Sequence, residues 1–130
     1  MRGKQYAINI SAENNLSLFK QQFFDYIEEA EWAIEVCKEF HLPIASTMAI
    51  GPGGDWGNVS AADCAVRMSK AGAIMVGTNC RFDLTTTLET LSLMKEGLEK
   101  AQLLNKPTFL MAQPLGYHAP DATTKYGWES

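Results

Sequence analysis

The stretch AGAIMVGTNCRFD, residues 71–83, decides how the rest of the chain is read. Gly72 is a natural helix stop, and Ala73–Thr78 then runs nearly continuously apolar. Unbroken rather than alternating hydrophobicity marks a strand covered on both faces, as in a parallel sheet. The strand ends on Asn79-Cys80 and a polar turn. A free cysteine is often a core residue, whereas a thiolate at a strand's C-terminal end serves as a metal ligand or nucleophile. Both readings of Cys80 are open at this point.

Working outward, the residues on either side read as helices. Upstream, Ser60 followed by Asp63 predicts a capping-box-like start, in which the hydroxyl meets a free backbone N–H and the carboxylate reaches back. The helix that it opens turns Ala61, Cys64, Ala65, Met68 and Ala71 inward. Downstream, Asp83 or Thr85 caps a helix whose Leu84, Leu88, Leu91, Met94, Leu98 and Ala101 keep three-to-four spacing. PTFLMAQP (107–114) then reads as another buried strand. Further upstream, DYIEEAEWAIEVCKEF (25–40) places Ile27, Ala30, Ile34 and Cys37 with Ala33, Val36 and Phe40 on one stripe. Pro43 stops that helix, and PIASTMAI (43–50) is a strand.

The order α-β-α-β-α-β predicts an α/β fold of parallel strands joined by crossovers. Such sheets carry their functional loops at the strands' C-terminal ends. Those loops are GPGGDWGN (51–58), NCRFD (79–83) and QPLGYHAPD (113–121), rich in Gly, Asn, Asp, Cys and His. The glycine loop does not fit G-x-G-x-x-G, since position 56 is Trp, and it reads as a tight turn needing positive φ. Cys37 and Cys64 fall on apolar helix faces and read as core. His41 ends a helix, where a cation is mildly favourable. His118 lies in a loop that can meet a ligand. Trp32, Trp56 and Trp128 show no interleaving with basic residues, so no nucleic-acid stacking platform is indicated.

At 130 residues the chain has the length of one domain, and 46% hydrophobic with 20% charged residues is ordinary globular composition. A net charge of −4 without a basic face argues against nucleic acid as partner. No apolar run is long enough for a membrane span, and the first twenty residues lack the apolar core of a secretory signal. Three cysteines without CxxC spacing argue against a disulfide framework and point to the cytoplasm.

Taken together, EEAEWAIE, ASTMAIGPGGD, AADCAVRMSKAGAIMVGTNCRFD, LMKEGLEKA and LMAQPLGYHAPD resemble, in register from Phe24 to Asp121, the zinc-dependent homocysteine S-methyltransferase family, in its betaine-dependent branch. The resemblance implies a (β/α)8 TIM barrel, of which this chain supplies about three βα units. It implies a zinc ion held by three thiolates, one from an Asn-Cys pair matched here by Asn79-Cys80, and two from an adjacent Cys-Cys pair that this sequence lacks. It further implies homocysteine and a methyl donor, betaine, as substrates, giving methionine and dimethylglycine. The family's homocysteine-binding glutamate and the tyrosine after it align with Gln22 and Phe23, and Asn79 joins these two as a candidate substrate contact. A divergent N-terminal segment, 1–21, is thus expected ahead of a partial homocysteine-binding domain, 22–130. Open sheet edges of such a piece favour a homo-oligomer.

Two other readings fit the same residues. One is a non-catalytic relative that folds or oligomerises as a fragment and acts by partner binding. The other is a small flavodoxin-like binding domain, which shares the α/β order.

Overall fold

A computed structural model describes residues 9–13, 16–103 and 108–116, with side chains for 18–103 and 108–116. Along the chain come β1 (Asn9–Glu13), β2 (Leu16–Phe24), α1 (Ile27–Cys37), a 3-10 turn (Lys38–Phe40), β3 (Ile44–Met48), α2 (Ala61–Ala71), β4 (Met75–Thr78), α3 (Leu84–Lys100) and β5 (Phe109–Ala112). The five strands form one sheet in the order β1-β2-β3-β4-β5. β1 is antiparallel to β2, and each later pair is parallel.

The architecture is therefore α/β with four parallel strands. Each new strand adds beside the last, and α2 packs on both α1 and α3. A doubly wound sheet would instead reverse its strand order at a switch point. The described strands show no reversal, which removes the flavodoxin-like reading and agrees with part of a (β/α)8 barrel. The sequence reading also had no strand ahead of α1; β2 stands there and runs across residue 21.

One face of the sheet meets the helices. Phe19, Ile44, Met48, Val76 and partly buried Leu110 join Ile27, Ala30, Ile34, Cys64, Ala65, Met68, Met94 and Leu98 in a single core. Strand alternation sends Thr47, Gly77 and Met111, which pair across β3, β4 and β5, to the opposite face.

Local chemistry fixes the helix ends. Ser60 Oγ accepts from the Asp63 N–H at 3.0 Å, and its hydroxyl donates to Asp63 Oδ2 at 2.8 Å. Both halves of the expected start are thus present, and the carboxylate reaches back to the Ser60 hydroxyl. Asp83, not Thr85, caps α3, accepting from the Thr86 N–H at 2.9 Å. At α1 the N-cap residue, Tyr26, makes no side-chain cap. Asp55, fully buried in the glycine loop, accepts from the Ile27 N–H at 3.0 Å and from the Val59 N–H at 2.8 Å. A carboxylate borrowed from the next βα loop thereby satisfies α1's free amide and its positive dipole end.

Two expected stripes differ from what is found. Val36 and Phe40 are exposed, although the Phe40 ring lies 5.1 Å from that of Phe19. Leu84 and Leu88 are exposed too, while Thr86, Thr87 and Thr90 are buried. The threonines tolerate burial because the hydroxyls of Thr87 and Thr90 donate to the carbonyls of Phe82 and Thr86. Apolar spacing alone cannot reveal that satisfaction. As expected, Gly54 adopts φ +84° in the glycine loop, and a Cβ there would meet the Val59 carbonyl oxygen at 2.1 Å. Among the described residues no helix is long and apolar enough to cross a membrane.

Candidate active-site rim

The C-terminal ends of β2, β3, β4 and β5 meet in one rim. β2 reaches it through a bulge. Gln21 pairs with Ser46 and Phe24 with Met48, so Gln22 and Phe23 fill a stretch that a single β3 residue opposes. Phe23 takes the left-handed conformation, φ 72°, which costs a bulky side chain roughly 1–2 kcal/mol. Bulges of this kind re-aim side chains next to functional sites.

Asn79 holds the distortion in place. It is almost wholly buried; its Oδ1 accepts from the Phe23 N–H at 3.2 Å, and its own N–H donates to the Met48 carbonyl at 3.0 Å. One side chain and one amide therefore stitch the end of β4 to both β3 and β2. Cys80 comes next. The Arg81 N–H donates to the Asn79 carbonyl at 2.8 Å, a three-residue turn with Cys80 at its apex. Cys80 is exposed, whereas Cys37 and Cys64 are buried. Burial pushes the Cys64 thiol up to about 12, with Asp55 adding to the shift, and burial also raises Cys37. Those two are core residues, as their helical spacing predicted.

Beyond Cys80 the rim is braced. Arg81 Nη1 donates to Asp25 Oδ1 at 2.9 Å, with both side chains largely buried, and the Trp56 N–H donates to the Asp25 carbonyl. Phe82 is buried against Gly51, where a Cβ would lie 2.6 Å from the ring. Its carbonyl accepts from the Leu115 N–H at 2.8 Å, which ties in the loop after β5. The sequence reading missed the Asp25–Arg81 pair, whose members are 56 residues apart. The structure thus brings Phe23 and Asn79 into contact, places Gln22 beside Phe23 in the bulge, and sets Cys80 next to Asn79. His118 and Trp128 lie outside the described residues.

A structural or catalytic zinc needs at least three protein ligands. Among the described residues no group of three His, Cys, Asp or Glu side chains could hold a metal. The described residues therefore do not form a zinc site by themselves, and Cys80 is a single exposed thiol.

Fold and rim together define a parallel α/β protein whose candidate site lies where its strands end. Comparison with known proteins sharpens that class. No family model matches the chain. It is 47% identical over 117 residues to bovine (Bos taurus) betaine–homocysteine S-methyltransferase 1, a match covering 90% of this chain and 28% of that relative. It is 47% identical over 114 residues to the S-methylmethionine–homocysteine S-methyltransferase of Pongo abelii, covering 88% of this chain and 31% of the relative. The rat (Rattus norvegicus) betaine–homocysteine enzyme matches at 47% over 114 residues, 88% of this chain and 27% of its own length. Over these residues the chain belongs to the betaine–homocysteine S-methyltransferase family, and it spans about three-tenths of the length of the relatives it matches.

Proposed function

We propose that the rim is part of a methyl-transfer site, in which homocysteine sulfur accepts a methyl group from betaine to give methionine and dimethylglycine. The observation that carries the reading is the exposed Cys80 at the end of β4, beside the bulge that Asn79 pins. In this reading Cys80 is this chain's contribution to a zinc ion whose other ligands lie beyond the described residues. Zinc, when bound, supplies a Lewis acid that keeps a thiol deprotonated. Gln22 accepts from the ammonium of homocysteine, more weakly than a carboxylate would. Phe23, 42% exposed, offers a ring face to the donor's positive centre. Both relatives' donors carry such a centre, an ammonium in betaine and a sulfonium in S-methylmethionine. The setting is the cytoplasm, which keeps Cys80 reduced.

The test is an assay of homocysteine methylation by the full chain with zinc supplied, comparing betaine with S-methylmethionine. Transfer from betaine that disappears in Cys80→Ala supports the reading. Transfer from S-methylmethionine alone changes the donor. A folded chain that transfers from neither is not an enzyme by itself.

A second reading is a non-catalytic relative that works by association, either with copies of itself or with another chain. It is favoured by the single thiolate and by exposed Leu84, Leu88 and Phe109 on α3 and β5. Zinc-independent dimers on gel filtration, without methyl transfer, distinguish it.

A further inference from the structure

α1 carries apolar residues on two of its faces. Ile27, Ala30, Ile34 and Cys37 are buried against the core. A second row starts at Trp32, continues through Val36 and reaches Phe40 in the 3-10 turn. Its members are 58%, 57% and 60% exposed. Residues four apart share a helix face, so these side chains line up along the outside of the molecule. An isolated exposed apolar residue is ordinary, whereas a contiguous row marks an interaction surface. Beside Trp32 a groove of about 490 Å³ opens toward α2, walled by Glu31, Glu35, Arg67, Lys70 and Ala71.

The charge around the row is one-sided. Residues 25–40 hold six carboxylates and one cation, Lys38, which makes this segment more negative than the whole chain at −4. Most of those carboxylates have partners: Asp25 pairs with Arg81, Glu28 and Glu31 with Arg67, and Glu35 with Lys38. Glu29 differs. Its Oε2 is shut off from solvent and meets no hydrogen-bond donor among the described residues. It lies three residues before Trp32 and seven before Val36, on the same side of the helix.

Charge decides what fits this face. A second copy would bring two acidic α1 faces together, and like charges set against each other oppose docking. A segment of opposite charge is the complement. We infer that the outer face of α1 docks an amphipathic helix of a basic partner protein. Its apolar side chains cover Trp32, Val36 and Phe40, and its Lys or Arg pairs with Glu29. Trp32 is the anchor, since tryptophan is enriched among the residues that carry interface energy. The mode is helix-on-groove recognition, read through anchors three, four and seven residues apart. It uses the helix layer rather than the strand ends, and so goes beyond the methyl-transfer reading.

The probes are an amphipathic peptide of two Leu-Lys-Lys-Leu-Leu-Lys-Leu heptads and the same peptide with glutamate for lysine. Each is labelled and titrated with the full chain at physiological salt, read by fluorescence anisotropy. The lysine peptide should bind at least tenfold tighter than the glutamate peptide. Glu29→Gln and Trp32→Ser should each weaken it at least fivefold, with urea midpoints checking that both variants fold. Leu88→Ser, on the other exposed apolar face, should leave binding unchanged. No binding, equal binding of the two peptides, or binding that Glu29→Gln and Trp32→Ser leave intact overturns the inference. So does a dimer in sedimentation that Trp32→Ser dissociates, because a second copy then occupies the face. The methyl-transfer reading stands on Cys80 and is untouched by any of these outcomes.

Discussion

The α2–α3 pair and the rim of the sheet belong to one fold and treat their polar groups in opposite ways. Around α2 and α3, Ser60 and Asp83 cap their own helices, and the hydroxyls of Thr87 and Thr90 return to nearby carbonyls. Gly97 lets the helices close until a Cβ there would lie 2.8 Å from Ala62. At the rim, Phe23 sits at positive φ, and Asn79, Thr47 and Gln113 keep polar atoms without partners. One region resolves its needs within a few residues; the other retains strain and open valences held by contacts from distant segments. The difference separates what folds the chain from what is available to bind something.

The comparison can be broken first at Gly77. A Cβ there would lie 1.8 Å from the Met111 carbonyl oxygen, so β4 and β5 must part. Gly77→Ala should destabilise by about 3 kcal/mol, read as a lower urea midpoint, whereas a small loss would show that the strands yield easily. Asp55 comes next, since it braces the rim side by capping α1 from another loop. Asp55→Ala should cost about 2–3 kcal/mol in urea unfolding, because two amides lose a charged acceptor.

The third prediction concerns pH. Folded Cys64 stays protonated up to about 12, while an unfolded thiol ionises near 9.0. Above that lower value the unfolded chain binds fewer protons, so stability falls as pH rises toward about 12 and is unaffected by this group below 9.0. The slope reaches about 1.4 kcal/mol per pH unit at most, and Cys64→Ala should flatten it between pH ~9 and ~10.5 in urea titrations. The smallest effect belongs to the self-contained region. Ser60→Ala should cost about 1 kcal/mol in thermal unfolding, with the alkylation rate of Cys80 unchanged. A changed rate would mean that the two regions are coupled.

The order of helices and parallel strands from α1 onward was legible because continuous apolar runs and three-to-four spacing are local signals. β2 was not, since LSLFKQQFF mixes polar and apolar residues through a bulge that only β3 explains. Leu84 and Leu88 misled because spacing cannot show that neighbouring threonines satisfy themselves. At the site, Cys80 stood out by its place at a strand end. The Asn79 bond to Phe23, the Asp25–Arg81 pair and the unpartnered Thr47 and Gln113 were illegible, because each joins segments far apart in sequence and depends on strand register.

In the function proposed above, Cys80 is presented at the rim to help hold a metal for methyl transfer. The most direct measurement is zinc per chain, by elemental analysis of gel-filtered protein, with Cys80→Ala prepared in parallel. About one zinc per chain is expected, lost in the variant, with residues beyond the described ones completing the site. A folded chain that carries no zinc, or a variant that carries as much as the parent, contradicts it.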